Sequence, residues 1–299
     1  SCEHADPPYY QCCQVGLKPG CAAKLADKMQ TYTCCQAMPK GVPNFLLRND
    51  GDSGFAIAGS GLGDPHASLS ASTFDLDRDG WTDFFVGNDF GPISWLRNQA
   101  NLNFSQHTTE WGLRPYGHVM GSTVADFDRD GWADAVTADF GPLTLYRGNA
   151  KGFVNDSQTA GVRGLTADGV GWALLSEDLD NDGWLDLVST QSMVGKPGLL
   201  GEAVNCKADA LTTGYHVLFH NQGKQFAGKI LPWAKGAMPT VNPTVVAAND
   251  FDHDGDLDLA VLSPPDRLQV LRNDTPPGGH WLKVMLSQQV SPPDGVGAV

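Results

Sequence analysis

The sequence predicts an all-β chain folded as a β-propeller of four-stranded blades, about five or more in number, behind a small disulfide-rich cap. Three observations carry this expectation. A nine-residue acidic segment, Asp75-Leu76-Asp77-Arg78-Asp79-Gly80-Trp81-Thr82-Asp83, recurs with starts at Asp126, Asp178 and Asp250. Each copy runs into a short strand-like stretch: Phe84-Phe85-Val86, Ala135-Val136-Thr137, Leu187-Val188-Ser189 and Leu259-Ala260-Val261. Six of the seven cysteines fall within the first 35 residues, and Cys206 stands apart.

Residues 1–42 are the predicted cap. Cys2, Cys12, Cys13, Cys21, Cys34 and Cys35 crowd a segment too short to build its own core, where disulfides supply the constraint. Six cysteines allow fifteen connectivities, and the sequence does not choose among them. Zinc is the competing reading, but the paired cysteines lack C-x-x-C spacing and His4 has no partner at a finger-like distance. Cysteine usage points to an oxidising compartment. The chain opens on Ser and holds no apolar run near eighteen residues, so a mature secreted form without a membrane span is expected.

Residues 43–275 carry the repeats. Asn44 to Ala58 reads as a hairpin turning at Asn49-Asp50-Gly51. The first full unit runs from a small-residue strand (Ser70 to Phe74) through the acidic loop to a buried strand (Asp83 to Gly87). A turn Asn88-Asp89-Phe90-Gly91-Pro92 then leads to a third strand (Ile93 to Arg97) and a fourth around Phe104. Similar third-strand endings stand at Arg147, His220 and Arg272. Loop starts lie 51, 52 and 72 residues apart, the last interval stretched by an insertion at Met193 to Gly214. Four strands per fifty-odd residues is the arithmetic of a propeller blade. The Asp-Phe-Gly turns at 89–91 and 139–141 have none of the other parts of a kinase around them; their Phe is expected in a blade core.

The loops read as calcium sites. Carboxylates at loop positions 1, 3, 5 and 9, with Gly at 6 where the backbone must bend sharply, supply the oxygens that a hard divalent cation prefers. The expected ligands are Asp75, Asp77, Asp79 and Asp83; Asp126, Asp128, Asp130 and Asp134; Asp178, Asp180, Asp182 and Asp186; and Asp250, Asp252, Asp254 and Asp258. Trp81, Trp132, Trp184 and Asp256 at position 7 are expected to offer backbone carbonyls. About four structural Ca²⁺ ions, in independent sites, are anticipated.

These units resemble FG-GAP/VCBS repeats, the propeller blades of integrin α-chains and many secreted proteins, whose D-x-D-x-D-G-x-x-D loops bind calcium. The Leu-Arg-Asn spacers, with the tail His280-Trp281-Leu282-Lys283-Val284-Met285-Leu286 and Asp294-Gly295-Val296-Gly297-Ala298, are further similar to the ASPIC/UnbV-type module in relatives of the acidic cartilage protein. Residues 276–299 would be the start of that module. The resemblance implies a calcium-stabilised extracellular propeller.

The net charge of −14 excludes a nucleic-acid partner, since a polyanion would meet an acidic surface without a basic stripe. No nucleophile-base pair motif is present, the eight His are scattered, and an enzyme is not expected. His66 and His118 precede corresponding strands and are candidates for the central channel. The sequons at Asn103, Asn155 and Asn273 are candidate glycan sites, the first two expected at equivalent hairpin positions. The leading reading is a secreted adhesion or structural protein with an extracellular protein partner; the alternative is a lectin-like propeller stacking glycans on Trp111, Tyr116 and Trp233. The hairpin Asn44 to Ala58 and the strand His280 to Leu286 are expected to pair as a further blade, within one chain or head to tail in a homo-polymer.

Overall fold

The computed structural model describes residues 41, 43–167, 169–193, 214–231, 244–263 and 267–275. The cysteine-rich cap, the insertion with Cys206, Trp233 and the tail 276–299 lie outside the described residues.

Strands β1 (Leu46–Asn49) and β2 (Phe55–Ala58) pair as the expected hairpin. Its turn is longer than Asn-Asp-Gly alone requires, because Gly51–Ser53 makes a 3-10 turn that the Asp50 N–H closes on the Gly54 carbonyl at 2.8 Å. The first blade follows as β3 (Ala67–Phe74), β4 (Asp83–Gly91), β5 (Ser94–Asn98) and β6 (Phe104–His107), with β7 (Gly117–His118) added against the end of β4. The second comprises β8 (Gly121–Ala125), β9 (Asp134–Ala138), β10 (Thr144–Asn149) and β11 (Gly152–Asn155). The third comprises β12 (Gly169–Glu177), β13 (Asp186–Met193), β14 (Gly214–Asn221) and β15 (Phe226–Ile230). The fourth holds three described strands, β16 (Val245–Asn249), β17 (Asp258–Ser263) and β18 (Arg267–Leu271).

Every neighbour within a blade is antiparallel, and the four sheets form a β-propeller arrangement with their first strands side by side: β3 by β8, β8 by β12, β12 by β16. Small hydroxyl side chains explain this close approach. Ser122 Oγ donates to Ser70 Oγ at 3.0 Å, Ser72 Oγ to the Ser122 carbonyl at 3.2 Å, and Thr123 Oγ1 lies 2.8 Å from Ser176 Oγ. At Gly121 a side chain is excluded outright, since a Cβ would sit 2.2 Å from the Trp172 carbonyl oxygen of the next blade.

Apolar wedges fill the spaces between blades. Phe85, Ile93, Trp95, Val119, Tyr146 and Phe153 lie between the first and second, and Phe127, Leu145, Leu187, Val217, Phe219 and Phe226 between the second and third. Each fully buried aromatic of this kind contributes on the order of 2–3 kcal/mol from removal of apolar surface. Between the third and fourth blades the wedge contains smaller side chains, Leu179, Val188, Val246, Leu259 and Val261.

Four blades are described, and the expected fifth draws on residues 280–286, which lie outside the described residues. The hairpin β1–β2 forms no blade of its own. It is tied to the first blade by Ser60, which bridges to Asn103 beside β6, while Phe55 and Ile57 remain exposed. Whether residues 280–286 meet that hairpin falls outside the described residues. Phe90 and Phe140 depart from expectation. Phe140 is 52% exposed, and both rings stand edge-on to His118 at 4.5 and 5.2 Å rather than in a blade core.

Candidate metal centre in the acidic loops

Each loop joins the first and second strands of its blade, and its backbone is held by its own carboxylates. At position 1, Asp75 accepts the N–H groups of Asp79 and Gly80 at 3.0 and 2.9 Å. Asp126 and Asp178 repeat both bonds, and Asp250 accepts from Gly255. At position 5, Asp79, Asp130, Asp182 and Asp254 accept the N–H of position 7 at 2.8–3.0 Å. The bend demands left-handed backbone twice. Position 6 is Gly at φ of 88–98°, while position 4 is held at φ of 57–64° by Arg78, Arg129, Asn181 and His253. A non-glycine residue there costs roughly 1 kcal/mol, so the second left-handed site is a strain that the sequence pattern did not reveal.

Position 9 is a structural staple as well as a candidate ligand. Asp83 is fully buried; one oxygen accepts the Leu76 N–H at 3.1 Å and the other the Asn98 N–H at 2.7 Å, tying the loop to the end of the third strand. Asp134, Asp186 and Asp258 repeat this, with Phe127 and Gly148, Leu179 and Asn221, and Phe251 and Asn273 as donors. Burial pushes the Asp134 carboxyl up to about 6 despite the Arg147 guanidinium 2.6 Å away, and pushes Asp186 up to about 6 as well. Asp83 shifts in the same direction for the same reason.

The carboxylates that converge differ from loop to loop. Ligand atoms within 4.8 Å of one another come from Asp75, Asp77 and Asp83 in the first loop and from Asp126, Asp128 and Asp134 in the second. They come from Asp178, Asp180 and Asp182 in the third, and from Asp250, Asp252 and Asp254 in the fourth. A separate group joins Asp180 and Asp186 to His220. The donor chemistry fits a hard divalent cation. Two buried oxygens fit it further: Asp77 Oδ1 and Asp250 Oδ1 have no hydrogen-bond partner, a desolvation cost that a cation would remove.

The third strand supplies charges that the acidic motif alone did not identify. Arg97 is ion-paired with Asp77 and reaches Asp79 at 3.0 Å, Arg147 reaches Asp134, and Arg272 approaches Asp252 at 3.9 Å. In the third blade this place belongs to His220. The signal was present in the recurring Leu-Arg-Asn ending.

Neighbouring loops are also linked. Arg78 lies over the Trp132 ring and Arg129 over the Trp184 ring, 5.2 and 4.1 Å from the centroids, and Asn181 Nδ2 donates to Asp256 Oδ1 at 2.7 Å. Position 4 of one loop thus meets position 7 of the next three times. Asn221 and Asn273 add a second link, donating to the Phe127 and Leu179 carbonyls of the preceding blade at 2.8 and 2.6 Å. The Asn273 amide, part of the third sequon, also donates to the Leu257 carbonyl at 3.2 Å. Asn103 precedes β6 whereas Asn155 ends β11, so the two remaining sequons are not equivalent. Trp111 is half-buried and meets Trp95 at a right angle, 4.4 Å between ring centroids. His118 meets Asp89 at 3.2 Å and three aromatic rings, with Tyr116 at 5.4 Å.

Fold and loops together define a repeat-built β-propeller whose blades each open on an acidic D-x-D-x-D-G-x-x-D loop. Residues 75–137 and 126–189 match the family described as FG-GAP-like repeat, so the chain carries FG-GAP repeats across its first three loops. Cartilage acidic protein 1 of Mus musculus is 27% identical over 210 residues, 68% of this chain and 30% of that protein. Its Homo sapiens counterpart is 25% identical over the same shares. The chain therefore spans less than a third of the length of these curated relatives. Among solved structures, an Agrocybe aegerita lectin described as recognising non-reducing terminal N-acetylglucosamine is 17% identical, with coverage of 79% of this chain and 75% of that one and a TM-score of 0.35. That overlap is too loose to bear on the ligand of this chain.

Proposed function

We propose that this chain is a secreted, calcium-stabilised propeller that serves adhesion or extracellular structure, presenting rigid loops to a protein partner or to a second copy of itself. The observation that supports it best is the convergence of three carboxylates in each of four loops, with buried Asp77 Oδ1 and Asp250 Oδ1 lacking any partner. The similarity to cartilage acidic protein 1 and the cysteine usage favour an extracellular setting. Among the described residues no helix is long and apolar enough to cross a membrane. The proposed role is not enzymatic, since the clustered carboxylates are engaged in loop bonds and ion pairs. A glycan-binding role has less support, because Trp111 is packed against Trp95.

Extracellular loops of this kind hold calcium with dissociation constants of roughly 10⁻⁴ to 10⁻³ M. At about 1 mM calcium, a site at the tight end of that range stabilises the fold by about 1.4 kcal/mol, and four together by about 6 kcal/mol. Metal analysis after equilibration in millimolar calcium is expected to find about four ions per chain; fewer than two overturns the assignment. Chelation is expected to lower the melting midpoint by more than about ten degrees. An unchanged midpoint in EDTA would remove the structural role of the metal.

A further inference from the structure

The third blade departs from the other three at one position, and the departure changes the chemistry of its loop. The residue before the backbone N–H that bonds the position-9 Asp is Arg97, Arg147, His220 and Arg272 in blade order. Where Arg stands, a permanent positive charge rests on the loop carboxylates and opposes a cation. Where His220 stands, the imidazole Nδ1, a nitrogen that can give up its proton to a metal, faces two of them. Its Nδ1 lies 3.2 Å from Asp186 Oδ1 and 3.3 Å from Asp180 Oδ2. Bonds of about 2.0–2.1 Å around a tetrahedral zinc place neighbouring ligand atoms about 3.3 Å apart, which these separations match.

A second observation concerns the space beside this group. Asp180, Asp186 and His220 line a cleft of ≈ 720 Å³ between the third and fourth blades, together with Lys229, Arg272 and an apolar wall that includes Leu218 and Leu259. The cleft coincides with the wedge of smaller side chains between these blades. Three protein ligands beside an open cleft are the arrangement of an exchangeable metal position rather than of a closed structural site.

We propose that Asp180, Asp186 and His220 form a mixed nitrogen-oxygen site for a borderline divalent transition cation of the zinc or cobalt class, distinct in metal preference from the loops of the other blades. Imidazole suits such ions and is a poor ligand for calcium, whereas two carboxylates supply the charge that balances the ion. The cation's remaining positions open on the cleft, where water or a carboxylate from a ligand completes its shell. This site builds on the reading of the loops as cation sites and differs from it in the ion taken.

The test uses the full chain, stripped with chelator and titrated with cobalt(II) under millimolar calcium, with visible absorption and equilibrium dialysis as readouts. Two variants accompany it: His220→Arg, which installs the residue of the other three blades, and His220→Gln, which removes the imidazole without adding charge. Wild type is expected to hold one cobalt per chain that calcium does not displace. Both variants are expected to bind it at least about tenfold more weakly, with the calcium-dependent melting midpoint retained. Equal cobalt binding by wild type and both variants, or none by wild type, overturns the proposal and leaves the calcium reading standing. Cobalt held through His220 in a chain that retains no calcium supports this site and overturns the calcium reading instead.

Discussion

The guanidinium of Arg129 lies 4.1 Å from the centroid of the Trp184 ring, joining position 4 of the second acidic loop to position 7 of the third. Arg78 and Trp132 repeat the contact one blade earlier, and Asn181 with Asp256 replaces it by a hydrogen bond one blade later. The pairing is chemical in each case, cation on aromatic face twice and amide on carboxylate once, so the two positions change together. Trp81, at position 7 of the first loop, is 48% exposed.

A double-mutant cycle on Arg129→Ala and Trp184→Ala is expected to show a coupling of about 0.5–2 kcal/mol in denaturant unfolding. The same cycle on Arg129 with Trp81 should give none, since the link between their two loops runs through Arg78 and Trp132 instead. Strictly additive losses at Arg129 and Trp184 would mean that the stacking contributes nothing to stability.

Positions 3 and 9 should respond differently to removal of charge. Asp134→Asn leaves the buried end of Arg147 without its carboxylate and disturbs the staple from Phe127 and Gly148, at a cost of roughly 3 kcal/mol with or without calcium. Asp128 accepts one loop N–H, from Asp130 at 3.3 Å, so Asp128→Asn should lower the melting midpoint chiefly in calcium. Thermal melts of both variants in calcium and in EDTA check this; losses for Asp128→Asn of the same size in both buffers would contradict it.

Arg97 competes for the first loop, because it is ion-paired with Asp77 and Asp79 where a cation would sit. Arg97→Gln is expected to tighten calcium binding there by about tenfold, the effect of removing one nearby positive charge at intermediate dielectric. Calorimetric titration of the variant measures it, and weaker or unchanged affinity would show that Arg97 does not oppose the ion.

His216 gives a pH dependence of defined sign. Burial on β14 pushes its imidazole down from 6.5 to about 4. Between those values the unfolded chain takes a proton that the folded chain refuses. This contribution is therefore complete above pH 6.5 and falls as the pH drops toward 4, by about 1.4 kcal/mol per unit and roughly 3 kcal/mol in all. His216→Gln should flatten that part of the stability profile measured in calcium; a profile with the wild-type slope would place its cause elsewhere.

Sequence alone determined the all-β class, the four-strand repeat and the acidic loops, because each is written within about a dozen residues. The Asp spacing, the glycine at a left-handed bend and the strand-like run after position 9 are local demands of backbone and side chain. The tertiary structure decided what depends on residues far apart in the chain. It placed Asn221 against Phe127 and Asn273 against Leu179, each pair 94 residues apart. It brought Arg97 onto the first loop but His220 onto the third, and it turned each position-9 Asp into a buried staple. It also made the loops unequal, since which carboxylates converge depends on the strand that packs beside them. Spacing set the composition of each loop; packing between strands and blades set its charge, its burial and its neighbours.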